Sequence, residues 1–511
     1  MHTLLAQAAT AKLKTPPVAW STLAPLLVLL GGAVALLVLG ALLPRRSKVG
    51  WHAIATIVVA FGAIGAVVPL WNRVHDDGPM SVVSGAVGVD GFSLFLTVVI
   101  CLSVVMAALI TDGYLRREGL EGPEVYVLML LSAAGGVIMA SANDLIVMFL
   151  GLEVLSIAVY VLAGMHLRRS RSGEAALKYF VLGAFSSAFF LYGIALIYGA
   201  TGSTNLVKIA DFLAKNTLTD SGLLVAGLAL LLVGFAFKIA AVPFHSWTPD
   251  VYQGSPSPVV SYMASGVKAA GFAGLLRVFV VTFGGYRLDW QPIVYWLAIA
   301  TLVVGAVLAV VQTDVKRMMA YSSINHAGFI LLGVQAATAR GVSASLFYLA
   351  TYTFLVAGTF AVITIVGRRG DGHHQLGEYQ GLARREPLLA LAFTVFLLAQ
   401  AGTPLTSGFV AKFNVINAAV QARSFWLALV AMLSAVISAY LYLRIVLTMY
   451  TPASDEEAAD DSKPTARLPI PAAARIALVV AIVVTIGVGV LPDPLTRTAR
   501  DATPVLVAQG D

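Results

Sequence analysis

Five ionisable residues stand in otherwise apolar stretches: Glu153, Lys178, Lys238, Lys268 and Lys412. A charged side chain at the centre of a bilayer costs at least ~3 kcal/mol on insertion scales, so such residues pair with one another or mark an ion path. Burial disfavours the charged form of an amine or a carboxyl and a close opposite charge favours it, so a coupled pair shares its protons. A row of lysines with one glutamate, bridged by water and by Ser, Thr and His side chains, would pass protons along with neither metal nor nucleophile. The driving scale fits: one charge crossing 100 mV is worth about 2.3 kcal/mol, comparable with a shift of roughly one to two pKa units. Fixed structural ion pairs are the opposing reading, but four lysines exceed what one clear intramembrane carboxylate can hold.

Two of the lysines adjoin helix breakers, Lys238 before Pro243 in KIAAVPFHSWTPD and Lys412 after Pro404 in AGTPLTSGFVAKF. Proline has no N–H to give and its ring clashes with the carbonyl one turn back, so a helix entering from Leu223 stops or kinks just after Lys238. Backbone bared by such a break is tolerated in a membrane only where it faces protein or water. By residue count Lys238 and Lys412 fall late in their spans, and only a break that shortens the rise would hold them near the centre.

The elements that must hold these residues are apolar runs long enough to cross a bilayer, ~20 residues each. They predict helices near 21–43, 51–71, 89–112, 124–141, 143–166, 174–201, 221–242, 256–283, 291–311, 315–338, 341–367, 387–413, 424–450 and 473–492. The expected fold is therefore an all-α polytopic membrane protein of about fourteen transmembrane helices. Glu153 follows Asp144, the expected N-cap of its helix, by nine residues, ~13.5 Å of rise and close to mid-membrane. Arg277 and Arg444 lie toward helix ends, where they can snorkel. The two Pro-broken spans, helices 7 and 12, lie an odd number of crossings apart and run in opposite directions, the signature of an inverted repeat around an ion path. The expected organisation is three N-terminal helices over 1–123, a five-helix repeat over 124–283 (helices 4–8) and a second, inverted one over 291–450 (helices 9–13). An acidic cytoplasmic linker over 451–472 and a last helix with an outer tail over 473–511 complete it.

Composition sets the bounds. Of 511 residues 59% are hydrophobic and 12% charged, far below the charged share of a soluble domain. The net charge of +7 resides in short loops between apolar runs, not in a basic helix, which argues against nucleic acid. Loops after odd-numbered helices are the richer in Lys and Arg, Lys316 and Arg317 among them, which places them in the cytoplasm and both termini outside. Cys101 is the single cysteine, which excludes an internal disulfide, a Cys-ligated zinc and an iron–sulfur cluster. His373 and His374, adjacent in a solvated loop, read as polar and not as metal ligands. His245 and Asp250 read as turn and cap residues, and the acidic segment 453–464 as a mobile linker. His326, on helix 10, is open between a hydrogen-bonded core histidine and a proton relay.

These residues resemble the antiporter-like membrane subunits of respiratory complex I, NADH:quinone oxidoreductase, and among them subunit N. The resemblance covers nearly the whole chain and rests on KIAAVPFHSWTPDVYQGSPSPV, KYFVLGAFSSAFFLYGIALIYGATGS, DVKRMMAYSSINHAG and AGTPLTSGFVAKF. It implies two inverted five-helix repeats with broken helices 7 and 12. Glu153 is similar to the family's helix 5 glutamate and Lys238 to the helix 7 lysine that pairs with it. Lys178 resembles the helix 6 lysine, Lys268 the central helix 8 lysine and Lys412 the helix 12 lysine. The resemblance further implies outward proton pumping across the cell inner (plasma) membrane, coupled to electron transfer from NADH to quinone. It places FMN, iron–sulfur clusters and quinone in partner subunits, namely the M-type and L-type antiporter-like subunits, the small K and J subunits and the rest of the complex. A cation/proton antiporter of the Mrp type or a membrane hydrogenase subunit is the alternative; a lipid-linked sugar transferase would need an outer domain or acidic metal-binding loops.

Overall fold

The structure is a computed structural model that describes residues 18–43, 50–216, 221–452 and 468–507. The acidic segment 453–464 lies outside the described residues. In chain order come α1 (Ala24–Leu42), α2 (Trp51–Asp77), a small antiparallel hairpin of β1 (Met80–Val82) and β2 (Val87–Val89), α3 (Gly91–Glu118), α4 (Glu124–Ser141), α5 (Leu145–Ala163) and α6 (Ser170–Thr201). A short α7 (Leu206–Lys215) leads to α8 (Gly222–Ile239), α9 (Trp247–Gly254) and the composite α10 (Ser257–Thr282). Then follow α11 (Arg287–Val310), α12 (Val315–Ala336), α13 (Ala339–Val366), α14 (Pro387–Ala401), α15 (Ser407–Gln421), α16 (Phe425–Tyr450), α17 (Ala472–Val490) and α18 (Asp493–Asp501).

Among the described residues twelve helices are long and apolar enough to cross a bilayer. α12 and the pair α14–α15 occupy the two remaining predicted positions. Helices are the expected solution here, because each satisfies its own backbone hydrogen bonds without water. Their ends carry readable signals. Asp90 caps α3 in a capping box with Ser93, and Asp144, Asp314 and Thr338 accept from the first-turn N–H groups of α5, α12 and α13. Enclosure is uneven: α3, α10, α12 and α13 form the buried centre, while α1, α2 and α17 expose apolar faces such as Val34, Val58 and Val483. In a membrane those faces meet lipid or a neighbouring subunit.

Among the described residues, side-chain contacts gather connections at two ends, as up-and-down crossing requires. At one end Asn143 Nδ2 donates to Gly85 O and Val507 O, and Asn205 Nδ2 also donates to Gly85 O. These groups belong to the loops after α2, α4 and α6 and to the tail after α17. At the other end Asp371, after α13, meets Arg169 from the α5–α6 loop, Lys316 at the start of α12 and Ser257 at the start of α10. Glu118, at the end of α3, accepts from Gly370 N at 2.8 Å in the same place. The sequence also predicts two features differently. α7, α9, the hairpin and α18 are absent from the apolar-run reading because they are short or polar, and Lys316, read as a cytoplasmic loop charge, is fully enclosed.

Candidate functional site

The first break forms as the proline demands. α8 ends at Ile239, Ala240 adopts φ 62°, and the Val242–Pro243 peptide is cis. Two of the groups near the break are satisfied from outside: Trp247 Nε1 donates to Phe237 O at 3.1 Å, and Val242 N donates to Thr301 Oγ1 at 3.0 Å. Lys238, in the last turn of α8, is 3% exposed and donates to Ser156 Oγ at 2.7 Å. Its ammonium lies 5.8 and 5.7 Å from the ring centres of Tyr160 and Tyr179, within cation–π range. Glu153, the expected partner, makes no ion pair with it. Ser156, one turn along α5, takes the lysine, while Glu153 accepts from Ser187 on α6. A cavity of about 10 Å³, lined by Ser156, Ser187 and Lys238 among others, has room for about one water at this point.

Lys268 sits at the centre of the molecule, 3% exposed. π-helical turns at Met263–Val267 and Leu276–Thr282 flank its own short α-helical stretch. Its ammonium donates to Ser323 O at 2.6 Å and Ser323 Oγ at 2.5 Å on α12, and stands 5.8 Å from the Tyr352 ring. Tyr252, on α9 beyond the first break, reaches the same Ser323 Oγ at 3.4 Å.

At the second break α14 stops at Ala401, Gly402 takes φ 99° and Leu405 φ 65°, and α15 begins at Ser407. Lys412, 5% exposed, reaches back from α15 and donates to Ala401 O at 3.0 Å. Its ammonium also lies 4.7 Å from the Phe329 ring centre. Lys238, Lys268 and Lys412 are thus enclosed amino groups held by hydroxyls and carbonyls, with no carboxylate within ion-pair distance among the described residues. Between Lys268 and Lys412 lies His326, 1% exposed, with Nδ1 2.6 Å from Tyr348 OH and Nε2 3.2 Å from Tyr442 OH.

Other expectations need correction. Lys178 stands apart from this row: its side chain is 42% exposed and bonds Glu174 and Asp250, each at 2.8 Å. It therefore has carboxylates of its own and does not compete for Glu153. Asp250 is no cap but the centre of an ion pair network, since Arg317 also reaches it at 2.6 Å. Burial pushes its carboxyl up, and the hydrogen bonds from Lys178 and Arg317 outweigh that and lower it. His245 lies in the turn after Pro243 and accepts through its carbonyl from Thr248 N. Arg444 donates to Val310 O and Gln312 O at the end of α11, in keeping with a helix-end position. Arg277 does not snorkel. It is 1% exposed and bonds Asp90 at 2.8 Å and Ala140 O at 3.0 Å.

The sequence gives no signal for the Asp371 cluster. Asp371, fully enclosed, accepts from Ser257 and from Arg169 (3.1 Å) and Lys316 (3.2 Å), and His374 Nε2 lies 2.9 Å away. Burial opposes ionisation, but the charges of Lys316, His374 and Arg169 prevail and hold the carboxyl well below the usual carboxylate range. His374 is thus a buried neighbour of Asp371, whereas His373 Nδ1 lies 2.8 Å from Glu378 Oε1 nearer the surface.

Comparison with known proteins places this arrangement in context. The sequence profile of the family described as "NADH:quinone oxidoreductase/Mrp antiporter, TM" matches residues 142–438. The NADH-quinone oxidoreductase subunit N of Trichlorobacter lovleyi is 42% identical over 473 residues, 93% of this chain and 94% of that one. Its counterpart in Rhodococcus opacus is 42% identical over 546 residues, covering 98% of each chain. A chain of respiratory complex I from Thermus thermophilus, solved with bound aureothin, superposes with a TM-score of 0.75 at 35% identity, over 95% of this chain and all of that one.

Proposed function

The chain belongs to the antiporter-like membrane family of NADH:quinone oxidoreductases, in its subunit N branch, and from that premise we propose that it translocates protons through its enclosed lysines. The observation that carries this reading is the set Lys238, Lys268 and Lys412, each at most 5% exposed and each held only by neutral oxygen atoms. An ammonium without a counter-ion is costly in such surroundings, whereas a neutral amine is not. Each lysine is therefore poised to take up and release a proton as water enters or a neighbour changes charge. Glu153 modulates Lys238 through the Ser156–Ser187 cavity, and the breaks at Pro243 and Pro404 bring backbone carbonyls to the path. We read the two broken segments as corresponding parts of two inverted repeats.

In this reading protons leave the cytoplasm, the end carrying the Asp371 cluster faces the cytoplasm, and both termini face outward. Electron transfer from NADH to quinone takes place elsewhere in the complex, with FMN, iron–sulfur clusters and quinone in partner subunits. The neighbours are the M-type, K and J subunits, with the L type further along. The family description also names the Mrp antiporter, and the matches to subunit N over nearly the full length favour the oxidoreductase. The test is Lys238→Ala in the assembled complex, with assembly checked by native gel. Loss of both proton pumping and NADH:quinone turnover supports the proposal; unchanged pumping and turnover would refute a role for Lys238.

A further inference from the structure

A cavity of about 410 Å³ opens between α2, α3, α13, α17 and α18, on the flank where α2 and α17 expose apolar faces. Its wall on α2 runs from Ile64 to Asn72, eight residues or ~12 Å of helix rise. Half of a ~30 Å hydrocarbon core is about 15 Å, so the cavity has nearly the length of one leaflet. Its lining is graded in polarity. Trp71, Asn72 and Thr498 lie at the mouth, where α2 nears its end and α17 gives way to α18, while Leu102, Ala350 and Phe354 lie well inside α3 and α13. Tryptophan at the mouth and hydrocarbon within is the order in which a bilayer itself changes from interface to core.

Phe354 shows how far the cavity reaches. From Gly341 to Val366 every residue of α13 is buried except Phe354. The cavity is thus a gap in the wall between the membrane flank and the enclosed centre. Thr351 also lines it, but its hydroxyl already donates to Phe347 O at 3.0 Å, so water entering the deep end would find almost no partner. Left empty, a gap of this size would forfeit the dispersion contacts of its lining in an otherwise close-packed bundle. In a bilayer the medium against this flank is acyl chain, which can enter such a gap lengthwise.

The mouth offers groups for the other end of a lipid. Arg73 follows Asn72 in sequence and Arg497 precedes Thr498, and both arginines are exposed. Each has a carboxylate one helical turn away, Asp77 and Asp493, yet neither makes an ion pair among the described residues. A guanidinium left free in this way suits a phosphate, whose oxygens it can meet with two parallel N–H groups. We infer that the cavity binds one phospholipid, with an acyl chain lying from Trp71 inward to Phe354 and the phosphate at Arg73 and Arg497. The site is separate from the lysines and stands whether or not they carry protons.

The test uses the assembled complex in vesicles of phosphatidylethanolamine and phosphatidylglycerol that include phosphatidylethanolamine with a photoreactive diazirine midway along one acyl chain. After irradiation, adducts are located by peptide mass spectrometry, with the exposed Val34 and Val58 as the measure of bulk labelling. Adducts are expected at Phe354 or Leu102. Relative to bulk labelling they should fall at least fivefold in Val484→Trp, which fills the cavity, or in Val68→Trp, which narrows its mouth and serves if the first variant does not assemble. Arg73→Gln combined with Arg497→Gln should lower them at least threefold. No adduct at Phe354 or Leu102 beside a labelled Val34 or Val58 would overturn the site and give the cavity to a segment of protein. Adducts at full level in the filled variants would overturn it too, as chains brushing the flank without a site. Unchanged labelling in the arginine variant would overturn the phosphate contact.

Discussion

Lys412 caps the backbone that its own helix break exposes. The carbonyl of Ala401, bared where α14 stops, is an acceptor that hydrocarbon would leave unsatisfied, and the ammonium supplies the donor. On the proposed lysine path, Lys412→Met loses that bond and the proton-carrying amine together, so pumping should fall by roughly tenfold, ~1.4 kcal/mol, in vesicle assays on assembled complex. Asp371 plays a different part. Removing one member of a buried ion pair costs about 3–5 kcal/mol, so Asp371→Asn should lower the thermal stability of the solubilised protein markedly at neutral pH. The sign with pH follows from its depressed native value: the Asp371 contribution is complete above the unfolded carboxylate pKa of about 3.9 and is lost as pH falls through the lower native one. Wild type and Asp371→Asn should therefore converge in stability toward acid pH, and parallel melting curves across that range would contradict it. Neither Asp371 nor Asp90 was legible as a partner. Arg277 is 187 residues from Asp90 and Lys316 is 55 from Asp371, so nothing local in the sequence joins them. The lysines in apolar runs were legible because a charge without local company stands out.

At the scale of elements the prolines told more than periodicity did. Pro243 and Pro404 marked both breaks, because a missing N–H and a ring clash act locally and leave no alternative. How the first break is resolved depends in part on Thr301, 59 residues from Val242, and so was not readable, whereas Lys412 stands close to the second break in the sequence itself. Gly402 offers a test of the second break. Its φ of 99° suits only glycine, and a Cβ there would lie 3.2 Å from Lys412 Cδ. Gly402→Ala is expected to cost at least ~1 kcal/mol and to displace the lysine, giving a complex that assembles but pumps poorly. Normal pumping with normal stability in that variant would show that the turn tolerates another route. The small elements α7, α9, β1, β2 and α18 escaped the sequence reading because none carries a run long enough to span.

The whole molecule has two unlike ends. Among the described residues, one gathers the connections after the second, fourth and sixth spans and the tail around Asn143 and Gly85; the other joins those after the third, fifth, seventh, ninth and eleventh around Asp371. Their alternation was legible from counting apolar runs, while their cohesion was not. Cys101 is fully buried, so a cysteine placed at exposed Asp77 or exposed Arg384 would be the only accessible thiol among the described residues. Asp77→Cys should react with an impermeant maleimide from outside the cell, and Arg384→Cys only in inverted vesicles. Labelling of both from one face would contradict the alternation. A last consequence concerns Lys268 and the π-helical turn at Met263–Val267 just before it. Each such turn accommodates one residue more than a regular helix, and one residue is about 100° of rotation at 3.6 per turn. The π turn absorbs that extra residue, so deleting one residue there would restore a regular helix and leave Lys268 facing Ser323, whereas a deletion in the regular turn before it, Ser257–Tyr262, would swing the lysine away. In this part of the chain, the aim of the central charge is set by residue tally as much as by residue identity.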